Sequence, residues 1–249
     1  MTDWVQGNVV KLHRWTERLY SLQVDAEVAP FQAGQFTRVA LDIDGERVGR
    51  PYSFVNAPGE SPLEFYFITV PDGPLSNRMT TLVSGDTIWI SKQASGFFTL
   101  AEIGESRYLW LLSTGTAIGP FISILKTEEP WRRFERIVLV HGVRKSDELT
   151  YQDTLNKYEQ HQQFRMISVV SRDDVGHAIK GRITNAIEDG RLEDIAGIPL
   201  SADDSQVMIC GNPDMVRDTT RLLEARGFKK HRRRDPGQVT TENYWKQKD

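Results

Sequence analysis

The chain has 249 residues, more than one typical domain of roughly 100–200 residues. Its 31 Lys+Arg against 34 Asp+Glu give a net charge of −3, which excludes a general nucleic-acid binder, since that would be strongly basic. The single cysteine, Cys210, excludes an intramolecular disulfide, a cysteine zinc cluster and a cysteine-held iron–sulfur centre, and no metal site is expected.

The opening residues Met1-Thr2-Asp3-Trp4 lack the basic and apolar regions of a signal peptide. No apolar run approaches the ~20 residues of a membrane helix. A cytoplasmic protein with neither membrane nor nucleic-acid partners is therefore expected.

The first hundred residues read as β structure. Tyr20, Leu22 and Val24 alternate with Ser21, Gln23 and Asp25, and residues 35–41, 48–55, 63–70 and 87–90 are further short runs rich in β-branched and aromatic side chains. Asp44-Gly45, Pro58-Gly59 and Ser84-Gly85-Asp86 separate them with turn chemistry, as in an antiparallel barrel or sandwich. A short helix is expected over 77–82. From about residue 107 the rhythm changes. Continuous apolar runs at 108–112, 137–140, 166–170 and 207–210 suit strands buried on both faces. Between and after them lie helical patterns at 117–126, 149–158 and 214–226, with Gly227 placed to end the last. Strands alternating with helices indicate a parallel α/β sheet. The boundary between the halves is expected near 100–106.

Six groups of residues could carry chemistry. Arg50-Pro51-Tyr52-Ser53 packs a guanidinium, an aromatic ring and a hydroxyl into one strand, with Arg50 and Tyr52 on one face. An aromatic face stacks on a planar ring and an arginine pairs with a phosphate, although an ordinary strand would also explain the run. Gly73-Pro74-Leu75-Ser76 precedes a helix, so its backbone N–H groups could face an anion, or Ser76 could serve as a helix N-cap. Ser113-Thr114-Gly115-Thr116-Ala117-Ile118-Gly119-Pro120 lies where the first parallel strand turns into its helix, the ligand end of such sheets. It lacks the G-x-G-x-x-G fingerprint. Arg144, Ser171, Arg172 and Arg182 follow later strands and suit a phosphate monoester. Ser171-Arg172 precedes Asp173-Asp174, which leans toward a 2′-phosphate rather than a free ribose. Cys210-Gly211-Asn212-Pro213 ends the last strand and opens the last helix, with Cys210 either packed or at the mouth of the sheet. Tyr244-Trp245 is an aromatic pair on a polar tail.

In this order, on a β half followed by an α/β half, these motifs make the whole chain resemble the ferredoxin/flavodoxin–NADP reductase family, in particular its bacterial members. The residues that carry the resemblance are Arg50-Pro51-Tyr52-Ser53, Gly73-Pro74-Leu75-Ser76, Gly115-Thr116-Ala117-Ile118-Gly119-Pro120 and Cys210-Gly211-Asn212-Pro213. The resemblance implies a six-stranded antiparallel β-barrel for FAD over 1–102. It also implies a five-stranded parallel sheet for NADP over 103–249, with the C-terminal tail returning to the flavin. It implies Tyr52, Ser53 and Cys210 as catalytic residues. FAD would be held by Arg50, Pro51, Tyr52, Ser53, Tyr66, Phe67, Ile68, Thr69, Pro74, Leu75, Ser76, Thr116, Tyr244 and Trp245. NADP would be held by Gly115, Thr116, Val143, Arg144, Ser171, Arg172, Arg182, Cys210, Asn212, Pro213, Asp214, Met215 and Val216. Tyr52 would stack on the isoalloxazine, Arg50 would pair with the pyrophosphate, Ser53 would sit by flavin N5, and Trp245 would stack on FAD. Relatives end their chains on the aromatic pair, whereas Lys246-Gln247-Lys248-Asp249 follow it here.

The implied activity is transfer of electrons between NADPH and a one-electron carrier, ferredoxin or flavodoxin, through FAD. Without cysteines for its own iron–sulfur centre, the protein must use an external carrier. The basic block Lys229, Lys230, Arg232, Arg233, Arg234 is a candidate dock for an acidic carrier, or a solvated loop. The alternatives are an NADPH-dependent reductase of small acceptors such as free flavin, quinone or ferric chelates, and a non-catalytic nucleotide-binding regulator. A monomer is expected.

Overall fold

The computed structural model describes residues 2–244. The chain divides into two compact units, one formed by residues up to Thr99 together with Gly119–Thr127, the other by Leu100–Ile118 and the residues from Glu128 onward.

The first unit is built on six strands: β1 (Trp4–Arg14), β2 (Leu19–Asp25), β3 (Phe36–Ile43), β4 (Glu46–Ser53), β5 (Leu63–Ile68) and β6 (Thr87–Ser91). Their order in the sheet is β4-β3-β6-β1-β2-β5, and every ladder is antiparallel. A two-residue Asp44-Gly45 turn, both residues at positive φ, joins β3 to β4 as the sequence indicated. One face is apolar: Leu22, Val24, Val39, Phe54, Phe65, Phe67, Met79, Ile88 and Ile90 form the core. Helix α1 (Pro74–Met79) packs on β3 and β4. It starts earlier than the expected 77–82, because Pro74 occupies the first turn, where its missing N–H costs nothing. Helix α2 (Gly119–Leu125) is fully buried and also belongs to this unit. The Ser123 hydroxyl donates to the Asn56 carbonyl at 2.7 Å.

The expected closed barrel is an open half-barrel. Among the described residues its edges β4 and β5 share no ladder, and Phe54, just beyond β4, makes an isolated bridge to Phe65 of β5. Beyond Ser53 the backbone leaves the strand conformation, and the side chain of Asn56 takes over, accepting the Glu64 N–H at 2.9 Å. A side chain thus satisfies a β5 donor that a closing ladder would have used. Strand β1 was not recognised in the sequence, because its mostly polar, exposed residues (WVQGNVVKLHR) carry little apolar alternation.

The second unit carries β7 (Tyr108–Thr114), β8 (Arg136–Val143), β9 (Phe164–Val170), β10 (Ile179–Lys180), β11 (Ser205–Gly211) and β12 (Val239–Asn243) in the order β10-β9-β8-β7-β11-β12, all parallel. Strands β7, β8 and β11 are buried almost throughout, as their continuous apolar runs required. The sheet has six strands, not five. Two of the six are hard to see in a sequence: β10 spans two residues, and β12 (VTTEN) is mostly polar and carries no apolar run. Helices α3 (Glu129–Arg133), α4 (Gln152–Tyr158), α5 (Ile183–Glu188), α6 (Arg191–Ala196) and α7 (Pro213–Ala225) connect the strands. The expected 117–126 helix is a 3-10 turn over Gly115–Ile118 that runs into α2. Among the described residues no helix is long and apolar enough to cross a membrane.

Candidate functional site

In the first unit, exposure falls along the end of β4: Arg50 is exposed, Tyr52 half-buried and Ser53 buried. Arg50 uses one guanidinium nitrogen on the neighbouring Gly49 carbonyl, at 2.9 Å. Pro51, exposed beside it, pairs with Arg38 across the ladder. The Tyr52 ring meets Phe67 edge-on, with centroids 6.2 Å apart and planes at 76°. Burial pushes its phenol up to about 12, so the hydroxyl stays protonated across the physiological range. Tyr66 and Phe67 are both buried, and Phe67 lies in the core stacked on Tyr20. Ile68 is exposed, and Thr69 exchanges backbone contacts with Arg18: its N–H donates to the Arg18 carbonyl, and its carbonyl accepts from the Arg18 guanidinium at 3.0 Å. Helix α1 opens on Gly73 with no side-chain cap. Ser76 is not the N-cap. It is buried, and its hydroxyl accepts the Val70 N–H at 3.0 Å. Pro74 is exposed and Leu75 buried. Pro74 has no N–H and the Asn77 N–H returns to the Gly73 carbonyl at 3.4 Å, which leaves the Leu75 and Ser76 N–H groups of the first turn for an outside acceptor.

In the second unit, the carboxyl ends of β7, β8, β9 and β11 bring the remaining groups together. Cys210 is fully buried, in register with Ser113 of β7 on one side and Glu242 of β12 on the other. Gly211 follows at φ 141. A Cβ there would lie 2.1 Å from the Thr114 hydroxyl oxygen, so only glycine fits. That hydroxyl accepts the Asn212 N–H at 2.9 Å and ties the β7 and β11 turns together. Asn212 caps α7, its side-chain oxygen accepting from Asp214 and Met215 at 2.9 and 3.4 Å. Pro213 and Val216 are buried, Met215 is half-buried, and Asp214 pairs with Arg217 at 2.7 Å. Thr116 is buried, and its carbonyl accepts the Tyr244 hydroxyl at 3.2 Å. Trp245 lies outside the described residues.

Val143 is buried, whereas Arg144, Ser171, Arg172 and Arg182 are exposed. Backbone hydrogen bonds hold them in one cluster: Arg172 N–H to the Arg144 carbonyl at 2.8 Å, Ser171 N–H to Val143 at 3.1 Å, and Gly181 N–H to Val170 at 2.9 Å just before Arg182. Among the described residues none of the three arginines has an ion pair. The nearby acids are otherwise engaged. Asp173 accepts from the Ser146 N–H and hydroxyl at 2.7 and 3.0 Å, which holds its carboxyl below the usual range, and Asp174 pairs with Lys180 at 2.9 Å. The three guanidinium groups are thus left without a carboxylate partner among the described residues, and Glu148 accepts the Arg144 backbone N–H at 2.8 Å.

The block 229–234 returns toward β12 through isolated bridges. Lys229 pairs with Asp235, and Arg233 lies 3.6 Å from Glu102. Lys230, Arg232 and Arg234 are exposed without an ion pair among the described residues.

Two ionisable groups of this unit, the fully buried His141 and the half-buried Glu242, stand outside the sequence motifs. Burial raises Glu242 to about 7 and lowers His141 to about 4. Recognising β12 as a strand in register with Cys210 would have exposed Glu242. His141 sits inside the apolar run of β8, where a lone polar residue was the available signal.

Residues 111–221 match the oxidoreductase NAD-binding domain family. The chain is 48% identical over 248 residues to the flavodoxin/ferredoxin–NADP reductases of Shigella flexneri and of Escherichia coli (strain K12), covering 98% of this chain and 100% of each relative. A crystal structure of a ferredoxin NADP+ reductase from Neisseria gonorrhoeae, with bound FAD and NADP, superposes with a TM-score of 0.92 at 31% identity, covering 98% of this chain and 100% of that one.

Proposed function

The chain belongs to the flavodoxin/ferredoxin–NADP reductase family, and from that premise we infer how its two units divide the work. The protein is an NADPH-dependent FAD oxidoreductase. It moves electrons between NADPH and a carrier of the ferredoxin or flavodoxin type. Residues 1–102 would form the FAD domain and 103–249 the NADP domain, in a cytoplasmic monomer.

The donor set of the first unit fits FAD. Arg50 has guanidinium N–H groups to spare, Tyr52 offers an aromatic ring with a neutral phenol, and α1 begins without a cap. When bound, FAD supplies a two-electron acceptor that can discharge one electron at a time. Arg50 and the first-turn N–H groups of Leu75 and Ser76, with Pro74 opening the turn, would hold the diphosphate, and Pro51, Tyr52, Tyr66, Phe67, Ile68 and Thr69 would frame the ring. Phe67, whose side chain is in the core, would contribute backbone. Tyr244 and Thr116 are the remaining residues assigned to FAD. The Ser53 hydroxyl would hold the proton at flavin N5.

In the second unit the arginines would bind and orient the dinucleotide. Arg144, Arg172 and Arg182, with Ser171, would take the 2′-phosphate. Gly115, Thr116 and Val143 would line its path, and Cys210 and residues 212–216 would seat the nicotinamide. The observation that supports NADPH over NADH is the unpaired arginine cluster with its acids turned onto Ser146 and Lys180. Orientation is what these residues add to the reaction.

The acidic carrier would dock at Lys229, Lys230, Arg232, Arg233 and Arg234. Steady-state rates with purified flavodoxin and ferredoxin, set against free flavin, quinone and ferric chelate, test the assignment of the acceptor. Faster turnover with a protein carrier is expected, and faster turnover with the small acceptors would reverse it.

A further inference from the structure

Three successive residues at the end of β7 are each tied to a different element. Thr114 is tied through its hydroxyl to the Asn212 N–H, and Thr116 through its carbonyl to the Tyr244 hydroxyl. Between them, the Gly115 carbonyl lies 3.0 Å from Nε2 of His141. His141 is fully buried in β8, in register with Ser113 on one side and Ser168 on the other. Its Nδ1 has no hydrogen-bond partner among the described residues.

These contacts fix the chemistry of the ring. A carbonyl oxygen only accepts, so Nε2 must carry the hydrogen and Nδ1 the lone pair. The ring therefore has one polar contact, and that contact is with a backbone atom of the nucleotide-site turn. Gly115 stands at φ 57, where a glycine carbonyl could swing through a wide range if nothing held it. The peptide joining Gly115 to Thr116 is planar and trans, so its C=O and N–H point in opposite directions. Holding the carbonyl on His141 therefore aims the Thr116 N–H away from the sheet interior. That N–H opens the 3-10 turn and has no acceptor within it.

We propose that His141 is a positioning residue for the pyridine nucleotide, acting through the Gly115 carbonyl to aim the Thr116 N–H at the bound NADPH. The proposal rests on the assignment of this turn to NADPH, and wild-type oxidation of NADPH is the control that tests that assignment separately. His141 touches neither the substrate nor the reacting atoms. Its contribution is to keep one donor of the turn in place before the ligand arrives.

The test is a pair of variants and one measurement on the unaltered holoenzyme. His141→Leu keeps an apolar side chain without a donor, and His141→Gln retains an N–H that can reach the carbonyl. With a saturating carrier at pH 7.5, His141→Leu should raise KM for NADPH about fivefold, the effect of one neutral hydrogen bond, with kcat within about twofold. His141→Gln should return KM to near the wild-type value. Unchanged KM in His141→Leu, or equal KM in the two variants, overturns the proposal. If His141→Leu does not fold, the wild-type protein decides. Nitrogen-15 NMR should show the Nε2–H tautomer for His141, and the Thr116 amide resonance should move on addition of NADP+. An Nδ1–H tautomer or a stationary Thr116 amide overturns the proposal.

Discussion

Burial pushes the Cys210 thiol well above its ordinary range, and the neighbouring Glu242 carboxylate adds to the push. The side chain is then a thiol, not a nucleophilic thiolate, at neutral pH. A positional role follows: Cys210→Ser should slow hydride transfer from NADPH in stopped flow without abolishing it, and FAD should stay bound. Total loss of turnover with FAD retained would show chemistry beyond positioning. Two other ionisable groups, the fully buried His141 and the half-buried Glu242, give opposite pH slopes. His141 sits near 4 when folded against 6.5 for a free histidine, so the stability it contributes is present above pH 6.5 and is lost as pH falls toward 4. Glu242 sits near 7 against 4.5, so the folded state binds the extra proton, and stability falls as pH rises from 4.5 through 7. Thermal melts of Glu242→Gln across pH 4–8 should lose the second slope and keep the first. Retention of both would mean that Glu242 is solvated in the folded protein.

At the scale of elements, the turns after the parallel strands carry most of the residues proposed to bind NADPH. The β8, β9 and β10 ends gather Arg144, Arg172 and Arg182 through backbone hydrogen bonds, without carboxylate partners for the guanidinium groups. Removal of any one of them by Arg→Ala should raise KM for NADPH by roughly 10–100-fold, the range for a charge-assisted hydrogen bond, and should leave KM for NADH nearly unchanged. Equal effects on both nucleotides would place the 2′-phosphate elsewhere. At β11, Asn212→Ala removes the α7 cap and should cost about 1 kcal/mol in urea unfolding. The motifs around these turns were legible in the sequence because glycine, arginine and cap residues act locally. Strands β10 and β12 were not, because pairing with β9 and β11 makes them strands and their own residues do not. The N-cap reading of Ser76 fails for a related reason: the partner of its hydroxyl, the Val70 N–H, depends on how the chain turns between β5 and α1.

For the whole molecule, the resemblance of ordered motifs carried the two-unit plan, but the closure of the first sheet did not follow from it. That depended on Asn56, a single polar side chain that takes the Glu64 N–H and leaves β4 and β5 without a shared ladder. Charge acts at this scale too. If the exposed cations at 229–234 receive an acidic carrier, raising ionic strength should slow electron transfer to that carrier and barely affect a small uncharged acceptor. Equal salt sensitivity would remove the block from the docking surface. The central claim, an NADPH-dependent flavoprotein reductase, is tested most directly by mixing the oxidised holoenzyme with NADPH or with NADH in a stopped-flow spectrophotometer. The flavin absorbance should bleach rapidly with NADPH and far more slowly with NADH. Equal bleaching by the two nucleotides, or none with NADPH, would contradict the account.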